Sequence, residues 1–195
     1  MPLNVLITGS NSGFGLLTAA TFARAGHTVH ASLRNRAKSA DLDALAAEGL
    51  PVKLVTLDVT DEASAKAAVA EASAAAPIDV LVNNAGFEVA GAVEHLSDAS
   101  LRRQFDTNVF GLARMVRLVA PAMRQRGSGT IINVSSVAGS ISAPFTGAYS
   151  ASKHAVEALS ESAWFELRPF GVRVVLIEPG AFQTSFGANV IAEPS

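Results

Sequence analysis

The sequence has no cysteine in its 195 residues and only one tyrosine and one tryptophan. With no thiol, disulfides, thiolate catalysis and cysteine-rich metal sites are excluded. The four histidines, His27, His30, His95 and His154, share no metal-ligand spacing, so no metal is expected. Charge of one sign is also lacking: 15 basic against 17 acidic residues leave a net −2. That balance provides no broad basic surface, and nucleic acid is not an expected partner. No uncharged apolar run reaches 18 residues, so no membrane span is expected. The first apolar run, residues 3–8, ends in glycine and has no basic stretch before it, unlike a signal peptide. No serine sits in a GxSxG context, which argues against an acyl-transfer nucleophile. A cytoplasmic location suits this composition.

Hydrophobic residues make up 49% of the chain and charged residues 16%, a globular balance for one domain over residues 1–195. Short β-branched runs at 3–8, 28–32, 52–57, 80–83, 130–134 and 172–177 read as strands. Most are almost continuously apolar, as parallel strands buried on both faces must be. Longer stretches at 13–25, 37–48, 62–75, 99–126 and 148–168 read as helices, with Asp41 and Asp43 at the start of the second. Gly26, Gly49 and Gly127 follow helical stretches, and Pro169 with Gly171 ends the last. This alternation predicts an α/β fold: a doubly wound, Rossmann-type parallel sheet with helices on both faces.

Thr8-Gly9-Ser10-Asn11-Ser12-Gly13-Phe14-Gly15 joins the first strand to the first helix. Glycines there permit a tight turn and close approach of backbone to a pyrophosphate, and the helix N-terminus adds free N–H groups. An NAD site usually has an acid at the end of the second strand, but here Leu33, Arg34, Asn35 and Arg36 follow it. Arg34 suits a 2′-phosphate, so NADP(H) is preferred over NAD(H); the bland alternative makes Arg34 and Arg36 ordinary exposed charges. Leu101, Phe105, Asn108, Leu112, Met115 and Val119 share one helix face, with a lone amide on an apolar stripe. Such an amide is either satisfied structurally or used in chemistry. Tyr149 and Lys153 are four apart on a helix, and Ser136 ends the strand before it. A neighbouring ammonium, with an oxidised nicotinamide nearby, is expected to lower the pKa of a tyrosine toward that of a usable base.

The TGxxxGxG turn, Asn83-Asn84-Ala85-Gly86, Asn108, Ser136 and the Tyr149/Lys153 pair occur in an order that resembles the short-chain dehydrogenase/reductase family, over residues 3–186. The resemblance is to the branch that holds hydroxysteroid- and retinol-type dehydrogenases. It implies an oxidoreductase acting on CH–OH groups, with Tyr149 as acid and base and Ser136 orienting the substrate oxygen. Lys153 tunes Tyr149 and reaches ribose, and Asn108 supports the proton relay. It implies cofactor contacts along Gly9, Ser10, Asn11, Ser12, Gly13, Phe14 and Gly15, then at Asp58, Val59, Asn84, Ala85 and Gly86. Tyr149 and Lys153 add to these, with Pro179, Gly180 and Thr184 of a PG motif. Asp58 reads equally as a cap for the helix starting near Glu62. Residues 87–89 and 137–145 are expected to line the site of a small, lipophilic alcohol or ketone; Glu88 is the polar exception. Self-association as a homodimer or homotetramer is expected through the apolar arc of helix 148–168. Family members continue into a lid and a seventh strand, which this chain is expected to lack. A non-catalytic NADP(H)-binding module or redox sensor is the alternative reading, and a scaffold without nucleotide the third.

Overall fold

β-Branched runs, which pack well on a pleated surface, become strands, and alanine-rich stretches become helices. In the computed structural model, which describes residues 1–180, 186–187 and 190–193, the order begins β1 (Asn4–Ile7), α1 (Gly13–Arg24), β2 (Thr28–Leu33), α2 (Ala40–Ala47) and β3 (Val52–Thr56). It continues with α3 (Glu62–Ser73), β4 (Val80–Asn83), β5 (Glu88–Ala90), α4 (Asp98–Phe105) and α5 (Leu112–Arg126). Last come β6 (Gly129–Val134), α6 (Gly147–Leu167), β7 (Val172–Ile177) and β8 (Val190–Ala192). No helix among the described residues is long and apolar enough to cross a membrane.

Six strands form one parallel sheet in the order β3-β2-β1-β4-β6-β7, the doubly wound arrangement expected from the sequence. The strand order reverses between β1 and β4, and ligands in such sheets bind beyond the carboxyl ends of the strands at that point. Successive side chains alternate between two cores. Val5, Ile7, Val29, Ala31, Val80 and Val82 pack with Ala19, Ala23, Leu42 and Leu45 of α1 and α2. Leu6, Leu81, Ile131 and Val174 pack on the opposite face with Ala65, Ala68, Met115, Val119 and Met123 of α3 and α5. Both cores rest on β1 and β4, so the switch point lies between two packed layers.

The structure departs from the expectation in three places. Residues 99–126 do not form one helix: α4 and α5 are joined by a π-helical turn, Asp106–Gly111, that holds Asn108. Such turns widen the helix locally and often mark function. The buried residues are consequently Gln104, Asn108, Leu112, Met115 and Val119, while Leu101 and Phe105 are only half-buried. Second, the stretch 37–48 starts as a 3₁₀ turn, Arg36–Lys38, before α2, because Asn35 caps that turn by accepting from the Ala37 N–H. Third, residues 87–89 are not a plain loop. Glu88–Ala90 is a strand, β5, paired in parallel with β8.

Candidate active site

A cleft of about 730 Å³ opens at the switch point. Gly9, Asn11, Ser12, Gly13 and Phe14 line one wall, Arg34, Asn35, Lys38, Asp58 and Val59 a second, and Asn84 to Phe87 the floor. Small residues here are enforced by packing. A Cβ on Gly15 would collide with the Gly9 carbonyl oxygen and the Asn84 amide, and one on Gly9 would meet Ala85 Cα at 2.9 Å. Gly9 also has φ +67°, in the region that favours glycine. The Ser12 side chain makes no capping bond to α1. A helix N-terminus and backbone brought this close suit a diphosphate, and the cleft residues fit a dinucleotide.

Not every expected residue faces the cleft. Ser10 is fully buried, and its Oγ donates to the Ile7 carbonyl, 3.0 Å. Arg34 lies on the wall, but Arg36 is spent on β3, where it donates to the Leu54 carbonyl at 2.7 Å. Asp58 reaches the wall and holds a local turn by accepting from the Thr60 N–H, 2.9 Å. The cap of α3 is Asp61, which accepts from the Ser64 N–H, so the alternative reading of Asp58 as that cap does not hold. Val59 is wedged against Gly111, and its carbonyl accepts from Arg114. Pro179 and Gly180 lie beyond β7, with the Pro179 carbonyl accepting from the Val137 N–H; Thr184 is outside the described residues. Lys38 and Arg103 also line the cleft and were not read from the sequence.

The amides after β4 are structural clasps. Asn84 donates from Nδ2 to the carbonyls of Thr8 and Gly9, at 3.0 and 2.8 Å. Thr8 Oγ1 in turn accepts from the Asn84 and Ala85 N–H groups. Asn83 donates to Asn133 on β6, and Asn133 to Ser160 on α6, which ties two strands to the helix that carries Tyr149. Asn108 is buried, donates to the Phe87 carbonyl (3.0 Å) and Ser152 Oγ (3.1 Å), and accepts from the Phe87 N–H (3.2 Å). Gln104 completes the clasp by accepting from the Val89 N–H at 2.7 Å and donating to the Phe87 carbonyl at 2.8 Å. An amide at i−4 from Asn108 on the same stripe was the signal available for Gln104.

Ser136, Tyr149 and Lys153 come together. Ser136 caps the short turn Val137–Gly139 by accepting from the Ala138 N–H, and it lies close enough to the Tyr149 phenol to favour its ionised form. Lys153 is buried; its Nζ donates to the Val134 carbonyl at 2.8 Å and lies 5.6 Å from the Tyr149 ring centroid. The tyrosine ring also meets Phe186, centroid to centroid 5.8 Å, and Phe186 lines the cleft. Phe186 thus links the tyrosine ring to the cleft, whose lining does not itself include Ser136, Tyr149 or Lys153.

Burial pushes the Tyr149 phenol above its ordinary value; the nearby Ser136 hydroxyl opposes that shift and the charge of Glu88 adds to it. Lys153 does not offset the rise, because burial pulls its own ammonium down to about 8, with Glu157 acting in the other direction. Within the protein alone Tyr149 is thus held as a proton donor. Glu88 is itself raised by burial. Around this group Val93, Val137, Ile141 and Phe145 expose large apolar surfaces. Phe145 is held at φ +67°, rare for a residue with a side chain, and its carbonyl accepts from the Gly91 N–H.

A family model for short chain dehydrogenase matches residues 3–194. The chain is 44% identical to the oxidoreductase YusZ of Bacillus subtilis, covering 96% of this chain and 68% of that protein. It is 39% identical to a 3-ketodihydrosphingosine reductase of Bacteroides thetaiotaomicron (96% and 67%) and 38% identical to human retinol dehydrogenase 8 (100% and 63%). The chain therefore spans about two thirds of the length of these relatives. Among solved structures, a short-chain dehydrogenase from Streptomyces avermitilis superposes with a TM-score of 0.93 at 40% identity, over 100% of this chain and 72% of that one. A gluconate 5-dehydrogenase from Burkholderia cenocepacia, in complex with NADP and tartrate, gives 0.89 at 32% identity (95% and 73%). A Burkholderia phymatum short-chain dehydrogenase in complex with NAD gives 0.91 at 34% (96% and 69%). Both nicotinamide dinucleotides thus occur among its structural neighbours.

Proposed function

The chain belongs to the short-chain dehydrogenase family, and on that premise we propose that it is an NADP(H)-dependent oxidoreductase that interconverts an alcohol with a ketone or aldehyde. The observation that carries the reading is its single tyrosine, set beside a buried lysine and Ser136 and in ring contact with Phe186, which lines the cleft walled by the glycine turn. A bound dinucleotide supplies or accepts the hydride. Gly9, Asn11, Ser12, Gly13 and Phe14 would hold the diphosphate, Asp58 and Val59 the adenine, and Arg34 with Lys38 a 2′-phosphate. Asn84, Ala85 and Gly86 leave room for the nicotinamide ribose, and Lys153 turns its remaining N–H donors to the ribose hydroxyls.

In reduction the substrate carbonyl oxygen accepts from Ser136 Oγ and Tyr149 Oη. Ser136 stabilises the developing oxyanion, and Tyr149 gives it a proton. The raised phenol pKa keeps that proton in place at neutral pH. The ammonium of Lys153 then favours the phenolate left behind. Asn108 supports the relay as a positioning residue: both Nδ2 hydrogens hold neighbours, Phe87 and Ser152, in place. The exposed Val93, Ile141 and Phe145 favour a lipophilic substrate, and the exposed Leu159 and Phe165 on α6 favour self-association as a dimer or tetramer.

The test is to titrate the chain with NADPH and NADH, following melting temperature and Trp164 fluorescence, and then to screen lipophilic alcohols and ketones. Tighter NADPH binding with turnover is expected. Tighter NADH binding would overturn the assignment of Arg34, and binding without turnover would favour the non-catalytic module.

A further inference from the structure

Glu157 stands on α6 one helical turn beyond Lys153. Residues four apart on a helix lie one above the other, so these two side chains leave α6 on the same face. Both reach the turn that carries Ser136. Lys153 Nζ donates to the Val134 carbonyl at 2.8 Å, just before that serine. Glu157 packs on Gly139, just after it. A Cβ on Gly139 would lie 2.9 Å from Glu157 Cγ, 2.9 Å from Glu157 Oε1 and 2.9 Å from Ser135 Oγ. Carboxylate and hydroxyl thus share the space that a side chain at 139 would fill. Gly139 in turn donates its N–H to the Ser136 carbonyl at 2.8 Å. The Glu157 Oε1 atom is shielded from water at this contact.

A buried ammonium is costly unless a negative charge lies near it, and the Val134 carbonyl supplies only a dipole. The turn Val137–Gly139, which packs on α6, has no charged residue. The other elements packed on α6 offer Lys153 no better partner. Arg173 of β7 is exposed and donates to Thr130, Asp106 of the π-helical turn is exposed, and Arg103 of α4 lies over the Phe87 ring. Arg114 of α5 turns to the Val59 carbonyl, and the charge of Glu88 on β5 acts on Tyr149. The carboxylate that favours the Lys153 ammonium against burial is Glu157. Among the described residues the two form no close ion pair, so Glu157 acts as a charge across one helical turn.

Resting on the oxidoreductase reading above, we propose that Glu157 is a positioning residue: its carboxylate, held against the Ser136 turn, keeps Lys153 in the charged form that catalysis uses. The charged lysine then favours the phenolate that Tyr149 leaves after giving up its proton. Glycine at 139 belongs to the same device, because a methyl there would displace the carboxylate.

The test separates charge from packing. E157Q keeps the shape and removes the charge, and E157D keeps the charge on a shorter arm; melting temperature reports that each variant is folded. The Lys153 ammonium is followed directly by an NMR titration of protein carrying isotope-labelled lysine, with K153R identifying its resonance. The pH profile of kcat/KM for reduction of a lipophilic ketone by NADPH is measured beside it. In the wild type the lysine should titrate near its value of about 8. Loss of the carboxylate removes what opposes burial, so in E157Q the lysine should lose its proton about one pH unit lower. The decline in kcat/KM should move down with it, and E157D should stay nearer the wild type than E157Q does. A lysine titration unmoved in E157Q would overturn the proposal, and so would one that moves while the kcat/KM profile stays in place. A moved titration in a protein that turns over no alcohol or ketone would overturn the oxidoreductase reading and leave the hold of Glu157 on Lys153 standing.

Discussion

Between β1 and α1 the surface offered to a ligand is main chain; between β6 and α6 it is side chains. The glycine turn works by subtraction. Gly9 and Gly15 lack Cβ atoms where Ala85, Asn84 and the turn itself press in, and the Ser12 side chain makes no capping bond to α1. The Ser136, Tyr149 and Lys153 group works by addition and by burial, which raises the phenol and brings the ammonium down to about 8. The first region is specified by sterics over eight consecutive residues. The second depends on how deeply two side chains of α6 and one at the end of β6 are taken out of water.

If that contrast is right, the two regions should fail in different ways. The largest effect is expected from Tyr149→Phe: turnover should fall by roughly 10²–10⁴, the range for losing a general acid, while NADPH binding measured by fluorescence is unchanged. Comparable turnover in that variant would remove Tyr149 from the chemistry. Gly15→Ala should do the converse. Its methyl meets backbone rather than a yielding side chain, so it should cost about 1–3 kcal/mol in urea denaturation and weaken both dinucleotides alike. Selective weakening of one of them would mean that the turn reads more than the diphosphate.

Arg34→Gln sharpens the comparison inside the cleft. Losing one charge-assisted contact should lower the NADPH/NADH preference by roughly tenfold without changing NADH affinity. An unchanged ratio would shift the role to Lys38. The smallest effect is in the pH profile of kcat/KM for reduction. Lys153 is charged below its pKa of about 8 and neutral above it, whereas Tyr149 keeps its proton past its ordinary 10. Activity should therefore be level below pH 8 and decline by a few-fold as pH rises through it, ahead of any loss from the phenol. A profile level to pH 10 would show that the lysine charge is not needed in the free enzyme.

Much of this was legible along the chain. The six main strands lie where the β-branched runs lie, and the strand order follows from right-handed crossovers. Arg34 follows directly from its place after β2, because that position depends on local sequence. The π-helical turn was not legible, because the stripe through Leu101, Phe105 and Asn108 keeps a helical period whether or not one extra residue is accommodated. Gln104 carried a signal, an amide four residues before Asn108 on the same face, but its partners on the Phe87–Val89 backbone appear only in the fold. Lys38 sits four residues beyond Arg34, but its place on the cleft wall depends on the 3₁₀ turn that Asn35 caps.

What the sequence determined by itself is whatever sterics and periodicity decide over a few neighbouring residues: the alternating elements, the glycine turn, and Tyr149 one helical turn from Lys153. Tertiary structure alone decided the charge states and the company each group keeps. Tyr149 and Glu88 are raised and Lys153 is lowered because desolvation depends on residues far apart in the chain. Such forces act through space, and spacing along a sequence does not record them.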